Sequence, residues 1–179
     1  GANGSVEPGD DVTLNHGDNA TFVVTPDPCY YISEVLVDGT DVLGADSTTF
    51  TYTFTNVVAP HTFEANFAIY EYEMTETHTG MGTVSTATVN CGDDYTYMID
   101  ADTANGYHIE SVTFNGVTTT YGNNEDIHAE QLVEAVSQDT TIDVVFAINT
   151  YSIDVTVNGN GTTTPGDTAG IIWDTNVDY

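Results

Sequence analysis

Apolar and polar residues alternate at period two along most of this chain, and the alternation slips by one residue at the same point in two separate stretches. Cys29-Tyr30-Tyr31-Ile32-Ser33-Glu34-Val35-Leu36-Val37-Asp38-Gly39 is matched by Gly106-Tyr107-His108-Ile109-Glu110-Ser111-Val112-Thr113-Phe114-Asn115-Gly116. In each, an aromatic and an Ile two apart are followed by two polar residues, then by two apolar residues two apart (Val35 and Val37; Val112 and Phe114). The pattern predicts a strand carrying a bulge, and the closing Asp-Gly or Asn-Gly predicts a tight hairpin.

The spacing of the two stretches predicts a repeat protein. Tyr30 and Tyr107, Ile32 and Ile109, and Gly39 and Gly116 all stand 77 apart, and Phe67-Ala68-Ile69 stands 79 before Phe146-Ala147-Ile148. A period of about 75–80 residues makes the unit a small domain rather than a solenoid turn. Gly159-Asn160-Gly161-Thr162-Thr163-Thr164-Pro165-Gly166-Asp167 further matches Ala2-Asn3-Gly4-Ser5-Val6-Glu7-Pro8-Gly9-Asp10 at an offset of 157. The expected organisation is a first repeat over 1–68 that lacks its opening strand, a complete second repeat over 69–147, and the opening strands of a third over 148–179. The expected fold class is all-β, as tandem small β-domains of bulged antiparallel strands and hairpins.

Taken in order, the pattern predicts strands at 12–15, 20–25 with Phe22 and Val24 on one face, 30–37, 50–54 and 61–67 with Phe63, Ala65 and Phe67 facing one way. The second unit opens on Tyr70, Tyr72 and Met74 alternating with polar residues, followed by strands at 83–90 and 95–99. Ile127, Leu132, Val133 and Val136 have helical spacing, but 131–136 falls over 52–57, a strand and turn, so at most one helical turn is expected near 126–130. A strand over 150–158 places Tyr151, Ile153, Val155 and Val157 on one face, and Ile171-Ile172-Trp173 follows. Richness in Thr and aromatics agrees, since such side chains suit a pleated, half-buried surface.

Composition narrows the function. The 179 residues are 40% apolar, enough to bury two small cores and too apolar for a disordered acidic tail. No run is long enough to span a bilayer, and the start at Gly1, with neither Met nor signal peptide, reads as a processed or excised piece. Lys+Arg number 0 against 28 Asp+Glu, for a net charge of −28. A chance absence of both bases over this length has odds on the order of one in a billion. Without them the chain cannot displace phosphate counterions from nucleic acid, and an anionic membrane surface repels it. Lysine Schiff bases and arginine clamps are excluded, as is cleavage by trypsin-like proteases, which suits a protease-rich exterior.

The order Asn-Gly-x-Gly or Asn-Gly-Ser/Thr, a Gly-Asp turn, Gly-Tyr-x-Ile-x-x-Val-x-x-x-Gly, Phe-Thr-Asn-Val-x-x-x-His-Thr and a closing Phe-Ala resembles the divergent internalin-B-type repeat of bacterial surface proteins, of the Listeria and Bacteroides kind. The first unit carries it through Phe54-Thr55-Asn56-Val57 and His61-Thr62; the second departs at Glu134-Ala135-Val136 and Asp139-Thr140, and Cys29 replaces the expected Gly. The resemblance implies an extracellular or cell-surface spacer, stalk or adhesive module, and brings no catalytic residues with it.

Candidate chemistry is sparse, and no enzyme is expected. His16, His61, His78, His108 and His128 show no zinc-ligand spacing. Calcium is the sharper alternative for the acidic turns, with Asp10, Asp11, Asp93 and Asp94 as weak ligand candidates, although Asp in turns ordinarily serves the turn itself. Ser47, Thr103, Thr140 and Thr168 follow Asp in the manner of an O-glycosylation acceptor, and Asn3, Asn19 and Asn160 open N-linked sequons. Cys29 and Cys91 are disulfide candidates, across the junction of the repeats or between neighbouring molecules. Two roles compete. In the first, the partner is the chain itself: the strand bearing Tyr151, Ile153, Val155 and Val157 supplies the opening strand that the first repeat of the next molecule lacks, giving a head-to-tail filament. In the second, Tyr30, Tyr31, Tyr70, Tyr95 and Tyr121 form a platform for a glycan or host protein.

Overall fold

The computed structural model describes residues 2–45, 47–122, 124–156 and 168–172, the last group as backbone, and they are all β apart from turns and one short 3-10 segment. The chain divides into two compact units, the first Gly1–Glu71 with Asn90–Gly92, the second Tyr72–Val89 with Asp93–Tyr179. The first unit contains β1 (Gly4–Glu7), β2 (Ala20–Pro26), β3 (Tyr30–Val37), β4 (Thr40–Asp41), β5 (Phe50–Phe54) and β6 (Phe63–Ile69). They form two antiparallel sheets ordered β1-β2-β5 and β4-β3-β6. Val24 of one sheet and Ile32 and Val35 of the other are fully buried together.

β7 (Glu71–Thr79), β8 (Gly82–Val84), β9 (Ala87–Asn90), β10 (Tyr95–Ala101), β11 (Tyr107–Phe114), β12 (Val117–Thr120), β13 (His128–Val133) and β14 (Thr140–Ile148) follow. Their sheets are ordered β8-β10-β13 and β12-β11-β14-β7-β9. The core between them seals Met74, Tyr97, Ile99, Ile109, Val112, Val136, Ile142, Val144 and Phe146. β15 (Thr150–Ile153) and β16 (Thr168–Ile172) pair with each other as a separate antiparallel ribbon.

The slipped alternation becomes a bulge in both places. β3 shifts register against β6 between Ile32 and Glu34, and β11 shifts against β14 between Ile109 and Ser111. Asp38 and Gly39 (φ 51° and 76°), like Asn115 and Gly116 (φ 50° and 74°), take the two left-handed positions that a two-residue hairpin needs for its twist to match the strands.

Three expectations are corrected. Residues 12–15 form no strand. At the matching place in the second unit, β9 is a strand because β7 lies beside it, and the first unit has no described counterpart of β7. The strand expected over 83–90 is two strands in different sheets, β8 against β10 and β9 against β7. The break falls at Ser85, whose N–H still donates to the Met98 carbonyl at 3.0 Å while its Oγ, in place of its carbonyl, accepts the Met98 N–H at 2.8 Å and also the Tyr95 hydroxyl at 3.0 Å. As the overlay on 52–57 required, 126–130 holds no helix: β13 begins at His128, and Ile127 and Leu132 are 46% and 48% exposed, so their helical spacing marks no buried face. The tail strand ends at Ile153 rather than running to 158, and Val157 and Trp173 lie outside the described residues.

Candidate functional site

The two units differ most at one sheet edge. In the second, β7 runs parallel to β14, from Thr140 opposite Met74 to Val145 opposite Thr79. Side chains add to the ladder: the Thr75 and Thr141 hydroxyls meet at 2.7 Å, Thr77 donates to Asp143 at 2.7 Å, and the Glu73 N–H donates to the Asp139 carboxylate at 2.9 Å. Tyr97, wholly buried, donates its hydroxyl to the carbonyl oxygens of Thr75 and Thr140, one on each strand. With Met74 seated beneath, Ile142 and Val144 are fully buried and Phe146 nearly so.

In the first unit β6 is paired on one edge by β3, and no described strand lies on the other. Phe63, Ala65 and Phe67 hold the places of Ile142, Val144 and Phe146, yet each is only half-buried. An open groove of about 1430 Å³ runs here between the loop containing Pro8, Val12 and Leu14 and the segment from Val57 to Phe63. Its floor is aromatic: the Phe22 ring stacks on Phe63 at 5.0 Å, and Phe54 packs edge-on to Phe22 at 5.8 Å. Val58, 58% exposed, and Val12, 40% exposed, stand at its rim. A groove with an aromatic floor and a polar wall (Asp10, Asp11, Asn15, His16), beside a strand edge with no described partner, is the chemistry of a strand acceptor: the backbone supplies hydrogen bonds and the pockets take alternate side chains.

The candidate donor residues lie on the tail. Tyr151 and Ile153, on β15, are 48% and 42% exposed; Val155 is half-buried just beyond the strand. The Asn149 N–H donates to the Gly106 carbonyl at 2.7 Å, and the buried His108 meets the Asn149 side chain at 2.9 Å, so the root of the tail is fixed to the second unit.

Cys29 and Cys91 are joined as a disulfide, with Cα atoms 5.3 Å apart. Cys29 has the left-handed conformation (φ 69°) that Gly106 adopts at the matching place (φ 74°). Backbone bonds run alongside, from the Tyr70 N–H to Cys29 and from the Cys91 N–H to Tyr70. A disulfide is compatible with a secreted protein, and no described helix is long and apolar enough to cross a membrane.

The other candidates do not converge. Asp10 and Asp11 are exposed in the groove's loop. The Asp94 carboxylate accepts the Ala135 N–H at 2.9 Å, and the Asp93 carbonyl accepts that of Val136, which makes them turn formers. Among the described residues no three His, Cys, Asp or Glu side chains are grouped to hold an ion. His61, His78 and His128 each pair with a carboxylate, of Asp38, Glu76 and Asp100 respectively. Ser47 donates to the Thr49 carbonyl at 2.6 Å, Thr103 is exposed at the start of the 3-10 segment, Thr168 begins β16, and Thr140 is buried, so a sugar on it would not fit the folded unit. Tyr30, Tyr31, Tyr70, Tyr95 and Tyr121 are all half-buried; Tyr31 packs on Tyr70 and Tyr95 on Tyr97, each pair with ring centres 5.0 Å apart. Phe22 and Val57 were legible in the sequence as a strand face and a turn, but, like Val58, not as lining of a groove, because that depends on which strand stands beside β6.

No protein-family model matches the chain, and no characterised protein or solved structure matches it either.

Proposed function

We propose that this chain is a structural protein of a bacterial surface or extracellular matrix, built from copies of one β repeat and assembling head to tail into a filament, with no enzymatic role. The observation that carries the reading is the edge of β6 that no described strand pairs, beside a groove floored by the Phe22, Phe54 and Phe63 rings, where β14 in the second unit is covered by β7. The repeat is supported by sheets that share the orders β4-β3-β6 and β12-β11-β14, with a bulge at the matching place in each. The donor is the tail, whose Tyr151 and Ile153 correspond to Tyr72 and Met74 by the same offset that relates Phe146 to Phe67. Absence of Lys and Arg fits a filament exposed to proteases, and the disulfide fits an oxidising exterior.

Sedimentation and electron microscopy over a range of protein concentration test this. Particles should elongate with concentration, and a synthetic peptide covering 149–158 should bind the protein and stop growth. A protein that stays monomeric at high concentration, or that carries a glycan ligand on its half-buried tyrosines, would favour an adhesive or carbohydrate-binding module or a stalk spacer instead.

A further inference from the structure

β15 and β16 are neighbours, as β7 and β9 are. Thr150 lies opposite Ile172, and the same places in the second repeat are Glu71 and Asn90. In the second unit that pair joins β14 through β7, giving the order β14-β7-β9. Among the described residues, β15 is paired on one edge by β16 and by no strand on the other, and no strand lies on β6 on the side where β14 receives β7. Two edges of matching kind, each without a described neighbour, therefore stand on one chain. We infer that the β15–β16 hairpin docks intact on a second copy, with β15 parallel to β6 and Asp154 opposite Thr62, completing the order β6-β15-β16. This rests on the head-to-tail reading and specifies its partner, register and mode.

The register follows from the second unit. Thr75 opposite Thr141 maps, one repeat on for the donor and one repeat back for the acceptor, to Asp154 opposite Thr62. The Thr77–Asp143 hydrogen bond maps to Thr156 and Glu64, again a hydroxyl facing a carboxylate. Ile153 takes the place of the fully buried Met74, and Tyr151 that of Tyr72. Charge agrees. Where β7 carries Glu71, Glu73 and Glu76, the tail has Thr150, Ser152 and Val155, and its only carboxylate over the same stretch is Asp154. A donor strand with fewer carboxylates suits an approach to another chain of charge −28. Intact docking also assigns a place to residues 12–15: β16 occupies the position that they would need to become a strand, so they stay outside the sheet.

The test uses variants of the full chain that each add one cysteine at an exposed position and keep the native disulfide, mixed in pairs so that the added thiols can bond between molecules. Thr62→Cys mixed with Asp154→Cys should give a covalent heterodimer in high yield. Glu64→Cys mixed with Asp154→Cys, displaced by two residues or about 7 Å, should give at least tenfold less. A further variant, Thr150→Cys with Ile172→Cys, locks the hairpin and should still assemble. Filaments that form with the displaced pair cross-linking better would overturn the register, and filaments abolished by the lock would overturn intact docking, each leaving head-to-tail assembly standing. Native protein that never assembles would overturn both readings.

Discussion

The hydroxyl of Tyr97 donates to the carbonyl oxygen of Thr140 at 2.9 Å, from beneath the sheet in which β7 closes on β14. The same hydroxyl reaches the Thr75 carbonyl at 3.0 Å, so one side chain bridges the two strands. The first unit has Phe22 at the matching place, and no described closing strand. Tyr97→Phe should therefore destabilise the second unit by about 1 kcal/mol, the usual net worth of one hydrogen bond. Burial, and then the neighbouring Tyr95, push the Tyr97 hydroxyl up to about 12 from an ordinary 10.0. Its contribution is complete below pH 10 and fades as pH rises towards 12. Urea titrations should show the two proteins converging over that interval; a constant difference across it would refute the assignment.

The disulfide closes a loop with a sequence separation of 62. Loop-closure entropy for that length corresponds to about 4 kcal/mol of stabilisation. Replacing both cysteines by Ser should lower the first unit's unfolding midpoint by more than about 15 °C. Hydrogen exchange at β3 and β6 amides reports on that unit directly, and unchanged protection after replacement would contradict the estimate.

How far the fold was legible depended on whether a strand's neighbour was local. β3 and β11, with their bulges and Asp-Gly or Asn-Gly hairpins, are written into the alternation because bulge and turn are local features. Residues 12–15 and 87–90 have similar local patterns, yet only the second pair with a neighbour, since whether a segment becomes a strand depends on what stands beside it. The switch at Ser85 was invisible for the same reason: a serine hydroxyl substituting for a ladder bond has no periodic signature. The groove was legible only by comparing the two units, because an edge without a described strand leaves its mark on the burial of Phe63, Ala65 and Phe67 and none on their order.

Two exposed ion pairs should respond to pH in opposite senses. Asp100, then Glu130, hold the His128 imidazole in its protonated form and raise its pKa above the ordinary 6.5. That stabilisation is fully present below pH 6.5 and is lost as pH rises through the raised value. His61, then the Thr62 N–H, hold the Asp38 carboxyl below its ordinary 3.8. Its stabilisation is present above that value and is lost as pH falls through the lowered one. Proton NMR titration of His128 should give a midpoint above 6.5 that drops back in Asp100→Asn. A midpoint unmoved by that substitution would show that the pairing does not persist in solution.

Glycine substitutions should distinguish a covered strand edge from an open one. A Cβ on Gly82 would overlap the ring of Phe146, which is 3% exposed and held under β7. One on Gly4 would overlap the ring of Phe67, which is half-buried and borders an edge without a described strand. A ring that can shift towards open space relieves the overlap, whereas a sealed one forces the backbone to move. Gly82→Ala should therefore cost about 2–3 kcal/mol, in the range of core overpacking, and Gly4→Ala about 1 kcal/mol or less. Adding the 149–158 peptide fills the edge and should raise the Gly4→Ala penalty towards that of Gly82→Ala, read as a smaller gain in melting temperature for the variant than for the native chain. Equal gains for both proteins would mean that the peptide does not pack against Phe67, and that the edge of β6 at Phe67 is not where the strand binds.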